Sequence, residues 1–426
     1  MKAYPKMSRD ELLAEKAKLE KDFEAVKKLG LALDMSRGKP SKEQLDISMH
    51  MMDVLKSTSN LVSDGVDCRN YGVLCGIKDA KQLLADMIEV PVDNVIIYGN
   101  SSLNVMYDTI SRSYTHGVLG ETPWCKLDKV KFLCPVPGYD RHFAITEFFG
   151  IEMINIPMLP TGPDMDMVED LVSKDASIKG IWCVPKYSNP QGITYSDETV
   201  YRFANLKPAA KDFRIYWDNA YGVHHLDFDD TDYLVEILDA CTKAGNPDMV
   251  YKFCSTSKIS FPGSGVAAIA ASKANIDEIK KQLTIQTIGH DKLNQLRHVK
   301  FYKNFDGVIE HMKKHAKILK PKFDMVCDTL ESELAGLSVG SWVRPKGGYF
   351  VSFEGLDGCA KAIVAKCADA GIKMTNAGAT YPYGKDPHDS NIRIAPSYPT
   401  LEELAQAIKV FVLCVKLVSI DKLLEK

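Results

Sequence analysis

The feature that most constrains this chain is a series of short β-type apolar runs that alternate with helical patterns through its middle. Seven such runs occupy residues 94–98, 129–134, 152–156, 180–184, 214–217, 250–254 and 266–271. Several are apolar throughout, which is typical of strands covered on both faces. Alternation of strands with helices favours a parallel sheet. The pattern therefore predicts an α/β fold whose large domain holds a mainly parallel, seven-stranded sheet sandwiched by helices.

A smaller α/β domain is predicted from the two ends of the chain. A long helical stretch at about residues 293–334 leads to GGYFVSFEG (residues 347–355), an apolar helix near residues 360–370, NIRIAPSYP (residues 391–399) and a terminal helix from about Leu401. We expect residues 1–70 to contribute to this small domain, residues 71–300 to form the large domain, and residues 301–426 to complete the small one.

The composition excludes several classes of partner. The chain has 426 residues, a net charge of -3, and 26% charged residues, so neither nucleic acid nor an anionic membrane surface is expected to bind it. The charged N-terminal segment lacks the apolar core of a signal peptide. No apolar run approaches the roughly 20 residues that span a bilayer. We therefore expect no membrane association.

Cysteine and histidine spacing gives no sign of a metal site. Eleven cysteines are scattered from Cys68 to Cys414 without a CxxC motif. Free thiols in a reducing cytosol are the plain interpretation, which favours a cytoplasmic protein. His311 and His315 lie four residues apart in HMKKH, but the glutamate of a zinc hydrolase motif is missing. We expect a solvated helix face there.

Polar clusters follow five of the apolar runs. They are GNSSL (residues 99–103), PVPGYDRH (residues 135–142), PKYSNPQG (residues 185–192), DNAY (residues 218–221) and STSK (residues 255–258). Ligands of open α/β sheets bind beyond the carboxyl ends of the strands. The five clusters are therefore expected to converge on one site.

Two of these clusters carry groups suited to carbonyl and pyridine chemistry. Lys258 follows an apolar strand and precedes an uncharged segment, and a desolvated lysine is a nucleophile suited to forming a Schiff base with an aldehyde. Asp218 ends the apolar run RIYW and requires a cation opposite it. A protonated pyridine nitrogen at about 4 Å would gain roughly 4 kcal/mol at an effective dielectric near 20. A solvated lysine and a helix-capping aspartate are the alternative interpretations.

The remaining clusters offer groups that could hold other parts of such a ligand. GNSSL places backbone N–H groups at a helix N-terminus, which is an anion site, although Ser101 could simply cap the helix. Tyr139 is placed to stack on a flat ring, and His142 could support Asp218. Asn189 could donate to a phenolic oxygen or form a turn. Arg393, in a β-like run, can bind a carboxylate through two parallel hydrogen bonds.

In order and spacing, these motifs resemble the fold-type I pyridoxal-phosphate enzymes of the class I aminotransferase group. The likeness runs from SRGKPS (residues 36–41) through NYGVLCG, GNSSL, PGYDRH, YSNPQG, DNAY and STSK to NIRIAPSYP. Within the group the chain is most similar to bacterial-type aspartate aminotransferases. The resemblance implies pyridoxal 5'-phosphate as the cofactor and a homodimer with shared active sites.

The resemblance also implies a role for each matching residue. Lys258 would form the Schiff base and shuttle the proton, Asp218 would pair with the pyridine nitrogen, and Tyr221 would contact the phenolic oxygen with Asn189. Tyr139 would stack on the ring. The residues expected around the phosphate are Ser101, Ser102, Leu103, Ser255, Ser257 and, from the other subunit, Tyr71.

The substrate side of the resemblance is carried by arginines and one glycine. Arg393 would bind the α-carboxylate, and Gly38 would lie in the segment that closes over the substrate. Arg37 and Arg141 are candidates for a side-chain carboxylate, with Arg141 the stronger because it adjoins the stacking segment. One departure is clear. Relatives place a phosphate-binding arginine seven or eight residues after the lysine, where this chain has Gly265 and Val266.

The expected reaction is a ping-pong transfer of an amino group from aspartate or glutamate to 2-oxoglutarate or oxaloacetate. An aminotransferase for aromatic or neutral amino acids and a β-lyase on the same scaffold are the alternatives. A regulator that binds the cofactor without turnover is a further alternative, although such regulators usually carry an added DNA-binding domain, which is not evident here.

Overall fold

The computed structural model describes residues 2–425. Its strands are β1 (Leu33–Asp34), β2 (Val62–Ser63), β3 (Val66–Asp67), β4 (Val95–Ile97), β5 (Lys131–Val136), β6 (Glu152–Leu159), β7 (Gly162–Pro163), β8 (Ile178–Cys183), β9 (Arg214–Asp218), β10 (Val250–Ser255), β11 (Ala267–Ala271), β12 (Gly340–Trp342), β13 (Val351–Gly355), β14 (Ile372–Lys373) and β15 (Asn391–Ile394). Its helices are α1 (Arg9–Lys27), α2 (Lys42–Ile47), α3 (Lys78–Met87), α4 (Ser102–His116), α5 (Asp140–Phe148), α6 (Met165–Lys174), α7 (Asp197–Ala204), α8 (Ile237–Lys243), α9 (Lys273–Gln286), α10 (Lys292–Tyr302), α11 (Phe305–Leu334), α12 (Ala360–Asp369) and α13 (Leu401–Leu424).

The large sheet has the order β4-β11-β10-β9-β8-β5-β6-β7. Strands β10, β9, β8, β5 and β6 run parallel to one another, whereas β11 lies antiparallel between β10 and β4. Each of the seven apolar runs overlaps one of these strands, which confirms the α/β fold with a mainly parallel sheet. The eighth strand, β7, is a two-residue return that pairs with the end of β6. It is too short to produce an apolar run.

The strands of this sheet are apolar because both faces are covered. Along β9, Ile215 and Trp217 belong to one hydrophobic core, whereas Tyr216 belongs to the core on the other face. All three side chains are fully buried. Alternate residues of a strand point to opposite faces, so a strand with a core on each side is mostly apolar until it ends. The polar residues beyond the carboxyl ends of the strands are therefore the ones that can meet in a site.

A second core is built from both ends of the chain. Strand β1 pairs in parallel with β14, and α1 packs beside α13, where Lys16 Nζ lies 2.6 Å from an Asp421 carboxylate oxygen. The three-stranded sheet β12-β13-β15 packs into the same core. The small α/β unit therefore contains N-terminal and C-terminal segments, as the sequence predicts.

The long helical stretch is two helices rather than one. Lys303 has a φ of 68°, and Asn304 caps α11 by accepting a hydrogen bond from the Gly307 backbone N–H at 3.0 Å. Helix α11 then passes from the large core, where Met312 packs, to the small core, where Leu319 packs. The change from one core to the other therefore occurs inside this helix.

The expectation of a solvated helix face at HMKKH is wrong. His311 and His315 are only 4% and 1% exposed, because α11 is enclosed by both cores and its histidine face points inward.

Within residues 2–425 no cluster of three or more His, Cys, Asp or Glu side chains could hold a metal ion. All eleven cysteines are free thiols, and no helix in the described range is long and apolar enough to cross a membrane.

Candidate active site

A cavity of about 110 Å³ lies beyond the carboxyl ends of the parallel strands. The side chains around it come from all five predicted polar clusters, as parallel strands require. The predicted residues that line it are Ser101, Ser102, Leu103, Tyr139, Asn189, Asp218, Tyr221, Ser255, Ser257 and Lys258. Three further lining residues, Met106, Val184 and Ala220, carry no polar signal that sequence inspection could have found.

Asp218 presents one carboxylate oxygen to the cavity. It is the last residue of β9, is 2% exposed, and lies beside Phe253 of β10. Its Oδ2 is 3.0 Å from His142 Nε2, and the His142 ring stacks on Trp182 with centroids 4.4 Å apart. Its Oδ1 is buried and has no hydrogen-bond partner among the described residues. Because an unpaired buried carboxylate is costly, this oxygen requires a cation or donor from a ligand.

Lys258 extends into the same cavity from the loop after β10. Its Nζ lies 4.9 Å from the centre of the Tyr221 ring and 6.0 Å from that of Tyr349. Desolvation by these surroundings lowers the pKa of Lys258, and the negative charge of Asp218 opposes that shift. The lysine is therefore closer to its neutral, nucleophilic form than a surface lysine would be.

The phenols in the cavity are held in their protonated forms. Burial raises the pKa of Tyr139 and of Tyr221, and the charge of Asp218 adds to both shifts. Each hydroxyl therefore remains a hydrogen-bond donor at neutral pH. The Tyr139 ring lies edge-on to His142, with centroids 4.8 Å apart, so this tyrosine is fixed beside the carboxylate.

The anion end of the cavity is formed by a helix N-terminus and serine hydroxyls. Ser101 caps α4 by accepting a hydrogen bond from the Leu103 backbone N–H at 3.2 Å. Ser255 Oγ donates to Ser257 Oγ at 3.1 Å, and Ser257 Oγ donates to the Asn100 carbonyl at 2.7 Å. The helix has 15 residues, so its N-terminus attracts an anion. Both the capping interpretation of Ser101 and the anion-site interpretation are compatible with this geometry.

Gly265 and Val266, the two positions at which the family resemblance implies a phosphate-binding arginine, supply no cation here. A Cβ placed on Gly265 would lie 3.0 Å from the Asn100 carbonyl oxygen and 3.1 Å from the Ser257 nitrogen. Val266 is 3% exposed and donates its backbone N–H to Thr256 Oγ1 at 2.9 Å. The backbone at Gly265 therefore packs closely against the anion end.

Arg393 lies beside the cavity on β15 and is already paired. Its Nη1 donates to Asp140 Oδ1 at 2.8 Å and to Asn189 Oδ1 at 3.2 Å, whereas its buried Nε has no partner among residues 2–425. The guanidinium stacks 4.8 Å from the Phe350 ring centre. A Cβ on Gly38 would lie 2.3 Å from that ring. The Gly38 segment therefore packs directly against Phe350, the residue on which the Arg393 guanidinium stacks.

Asp140 and Phe350 were not singled out from the sequence. Asp140 follows Tyr139 within PGYDRH, and Phe350 ends GGYF, so both sit in motifs already examined. Their effect depends on Arg393, more than 40 residues from Phe350 along the chain, and only the fold brings the three together.

Five of the predicted site residues do not line this cavity. Arg393 and Gly38 are described above, and the other three are Arg37, Tyr71 and Arg141. Arg37 is exposed, and Tyr71 is 81% exposed. Arg141 lies on the wall of a separate cavity of about 650 Å³, together with Tyr107, Phe148 and His290. Leu103 lines both cavities, so the two cavities are neighbours.

Comparison with known proteins agrees with this geometry. The family model described as aspartate amino-transferase matches residues 7–426. The chain is 45% identical to a putative aminotransferase of Mycolicibacterium smegmatis, over 99% of both chains. It is 43% identical to an aspartate aminotransferase of Corynebacterium glutamicum, over 95% of this chain and 93% of that one. The crystal structure of an aspartate transaminase from Corynebacterium glutamicum superposes with a TM-score of 0.96 at 41% identity, over 99% of both chains. This chain therefore belongs to the aspartate aminotransferase family.

Proposed function

We propose that this protein is a pyridoxal-phosphate-dependent aminotransferase that transfers the amino group of aspartate or glutamate to 2-oxoglutarate or oxaloacetate in a ping-pong cycle. One observation carries the proposal. A desolvated lysine and a buried carboxylate with an unpaired oxygen meet in one cavity, and an arginine lies at its edge. The family match supports the reaction class.

The cavity's donor and acceptor groups fit the proposed cofactor. Asp218 Oδ1 would accept the hydrogen bond of a protonated ring nitrogen, which accounts for its lack of a protein partner. Tyr139 would cover the ring, and Tyr221 and Asn189 would hold its phenolic oxygen. Ser101, Ser102, Leu103, Ser255 and Ser257 would surround the phosphate. We propose that the α4 N-terminus and these hydroxyls compensate the phosphate charge in place of the missing arginine.

Lys258 would perform the proton transfer. The bound cofactor supplies a conjugated ring that accepts the electron pair released at the substrate α-carbon. Lys258 Nζ removes the α-proton, which its lowered pKa favours, and holds it until it is redelivered. Tyr221 packs against the amine and limits its movement during the transfer. Asp218 would keep the nitrogen of a bound cofactor ring protonated, because its carboxylate faces that nitrogen.

Arg393 would bind the α-carboxylate of the substrate. A substrate carboxylate entering the cavity would displace the Asp140 carboxylate, which accepts a hydrogen bond from Arg393 Nη1. The Gly38 segment, packed on Phe350 above the guanidinium, would close over the bound substrate. A dicarboxylic substrate needs a second cation, and Arg141 is our first candidate, with Arg37 the second.

Substitution of the two arginines is expected to separate their roles. Arg393→Gln should lower kcat/KM for aspartate, glutamate and alanine alike, by about 100-fold, because the α-carboxylate is common to all donors. Arg141→Ala should lower kcat/KM for aspartate and glutamate by about tenfold and leave alanine unchanged. The measurement is steady-state kinetics with each donor and a fixed 2-oxo acid acceptor.

Arg37→Ala is the matched comparison, because Arg37 is the second candidate and is also an exposed arginine beside an active-site motif. If Arg141→Ala leaves aspartate kcat/KM unchanged and Arg37→Ala lowers it, the side-chain role passes to Arg37. Equal losses for alanine and aspartate in Arg141→Ala would contradict a role in substrate selection.

We also propose a homodimer in the cytoplasm. Several apolar side chains are exposed, among them Ile285 at 89%, Tyr71 at 81%, Phe148 at 72% and Ile288 at 60%. Phe148 borders the larger cavity, next to the active site. Covering such a surface with a second copy would remove it from water. We propose that Tyr71 then reaches the phosphate of the partner, as the family resemblance implies. Sedimentation velocity that finds only single chains would contradict the dimer.

The buried free thiols support a reducing compartment.

A donor panel tests the reaction itself. The protein with bound cofactor is mixed with aspartate, glutamate, alanine, phenylalanine or cystathionine, and the loss of cofactor absorbance is followed in a single turnover. Aspartate and glutamate should react fastest, and 2-oxoglutarate or oxaloacetate should reverse the change. Faster reaction with phenylalanine or alanine would favour the aromatic or neutral alternative. Release of pyruvate from cystathionine would favour the β-lyase.

A further inference from the structure

The loop that carries Lys258 contacts buried histidines as well as apolar side chains of the large core. This loop, residues 256–260, leaves the end of β10 and is closed by hydrogen bonds from the backbone of its last two residues to the Thr256 carbonyl. Against it lie one histidine of α10 and two of α11, which we call the histidine bracket: His298, His311 and His315. Their exposed fractions are 2%, 4% and 1%.

His298 holds the loop on both sides of the lysine. Its Nε2 lies 2.8 Å from Ser260 Oγ and 3.1 Å from Thr256 Oγ1. Its Nδ1 lies 2.8 Å from the Asn294 carbonyl oxygen, which can only accept. The ring proton is therefore on Nδ1, and Nε2 accepts from the hydroxyls. Since these hydroxyl residues stand two positions before and two after Lys258, one imidazole fixes both ends of the loop.

His311 holds the loop next to the lysine. Its Nε2 lies 3.0 Å from the Ile259 carbonyl oxygen and 3.1 Å from Ser48 Oγ. His315 supports it from one turn further along α11, with Nε2 atoms 3.2 Å apart. The carbonyl of the residue that follows Lys258 is thus tied to a helix shared by both cores.

The bracket also reaches the N-terminal segment. The Ser41 backbone N–H donates to Gln44 Oε1 at 3.1 Å, so the Gln44 amide nitrogen must face its other neighbours. That nitrogen donates to the Tyr349 hydroxyl at 2.9 Å and lies 3.1 Å from His315 Nδ1. Tyr349 in turn donates to the Lys258 carbonyl at 3.5 Å. The lysine backbone is therefore linked to α2 and to the small unit.

Burying three imidazoles costs desolvation free energy, so stability alone does not account for this network. Burial lowers the pKa of His298 and His311 to about 4, and that of His315 to about 3, so all three rings are neutral at physiological pH. Apolar side chains would pack the same helices without the cost of desolvating imidazoles. Hydrogen bonds, unlike apolar contacts, are directional, and each one here fixes the position of one backbone or hydroxyl atom of the loop.

We propose that the histidine bracket positions Lys258, by fixing the loop backbone so that its amine stays directed into the cavity next to Asp218. This role deepens the proposed aminotransferase function and rests on it. The bracket residues do not line the cavity, so they act through the lysine and touch neither substrate nor cofactor. Displacement of a reacting group by about 1 Å can cost about 100-fold in rate.

The test replaces the two histidines that contact the loop directly. In the protein with bound cofactor, His298→Leu and His311→Leu should each lower kcat for aspartate by about 10- to 100-fold, and change KM less than threefold. Backbone amides of residues 256–260 should exchange hydrogen faster, as read by mass spectrometry. His298→Gln and His311→Gln, whose amides retain a polar atom near Nε2, should restore most of kcat and of the protection from exchange.

Lys179→Met is the matched control, because it removes another buried hydrogen bond, to Asp212 at 2.6 Å, at the opposite end of the parallel strands. It should lower Tm and leave kcat unchanged. If a leucine variant does not fold, Ser260→Ala removes a loop partner of His298 without altering the helices. Unchanged kcat in the folded variants, with or without faster exchange, would overturn the proposal. A wild-type protein that turns over no donor would instead overturn the aminotransferase function, while the exchange data would still test the bracket.

Discussion

Lys258→Ala is expected to lower kcat for every amino donor by about 10⁴-fold, because it removes both the nucleophile and the proton carrier. The lysine is the described amine that lies within the cavity beside Asp218. The cofactor should still bind, since Asp218, the aromatic side chains and the α4 N-terminus remain. The measurement combines steady-state kinetics with borohydride reduction of the bound cofactor, which should label Lys258 of the wild-type protein and leave the variant unlabelled.

Two further variants separate the chemistry of the lysine from its charge and its burial. Lys258→Arg keeps a cation but cannot lose a proton at neutral pH, so it should be as inactive as the alanine variant. Lys252→Met removes another buried lysine of the same strand region, which donates to the Ile88 carbonyl at 2.6 Å and to Glu236 at 2.8 Å outside the cavity. The Lys252→Met variant should have a lower Tm than the wild-type protein and should retain its kcat. Substantial activity in Lys258→Arg would rule out the lysine as the proton carrier.

The sequence predicted the parts of the site that depend on strand order. Parallel strands end at one edge of a sheet, so the polar residues after each apolar run had to meet. Asp218 and Lys258 illustrate this, because β9 and β10 are neighbours and each residue follows the apolar part of its strand. The cavity at this edge therefore contains residues from all five clusters.

Contacts between the two cores were not predictable in the same way. Gln44 and His315 are separated by 271 positions and meet through one hydrogen bond. The HMKKH segment has lysines beside its histidines, and only the packing of α11 between both cores decides which side is buried. Similarly, the position of Arg141 in the larger cavity rather than the smaller one depends on the first turn of α5. Such facts arise from tertiary packing and leave no periodic signal in the sequence.

Asp218→Asn is expected to lower kcat by about 10³-fold. The substitution keeps the shape of the side chain but removes the charge opposite the proposed ring nitrogen. A charge pair at about 4 Å with an effective dielectric near 20 is worth roughly 4 kcal/mol, which corresponds to about three orders of magnitude in rate. His142, 3.0 Å from Oδ2, would still hold the amide in place. The measurement is single-turnover kinetics with aspartate, with cofactor affinity determined separately.

The same variant has a second consequence that does not require turnover. The Asp218 charge raises the pKa of Lys258 against the larger lowering by desolvation. Without that charge the protonated amine loses its stabilisation, so the pKa of Lys258 must fall further. In cofactor-free protein the pH at which Lys258 becomes reactive to an acylating reagent should therefore shift downward.

The control is Asp212→Asn. Asp212 is a buried aspartate that accepts a hydrogen bond from Trp124 Nε1 at 2.8 Å far from the cavity, so its substitution should leave both kcat and this profile unchanged. A reactivity profile in Asp218→Asn identical to the wild-type profile would show that the two groups are not electrostatically coupled, and the central pairing of the site would have to be abandoned.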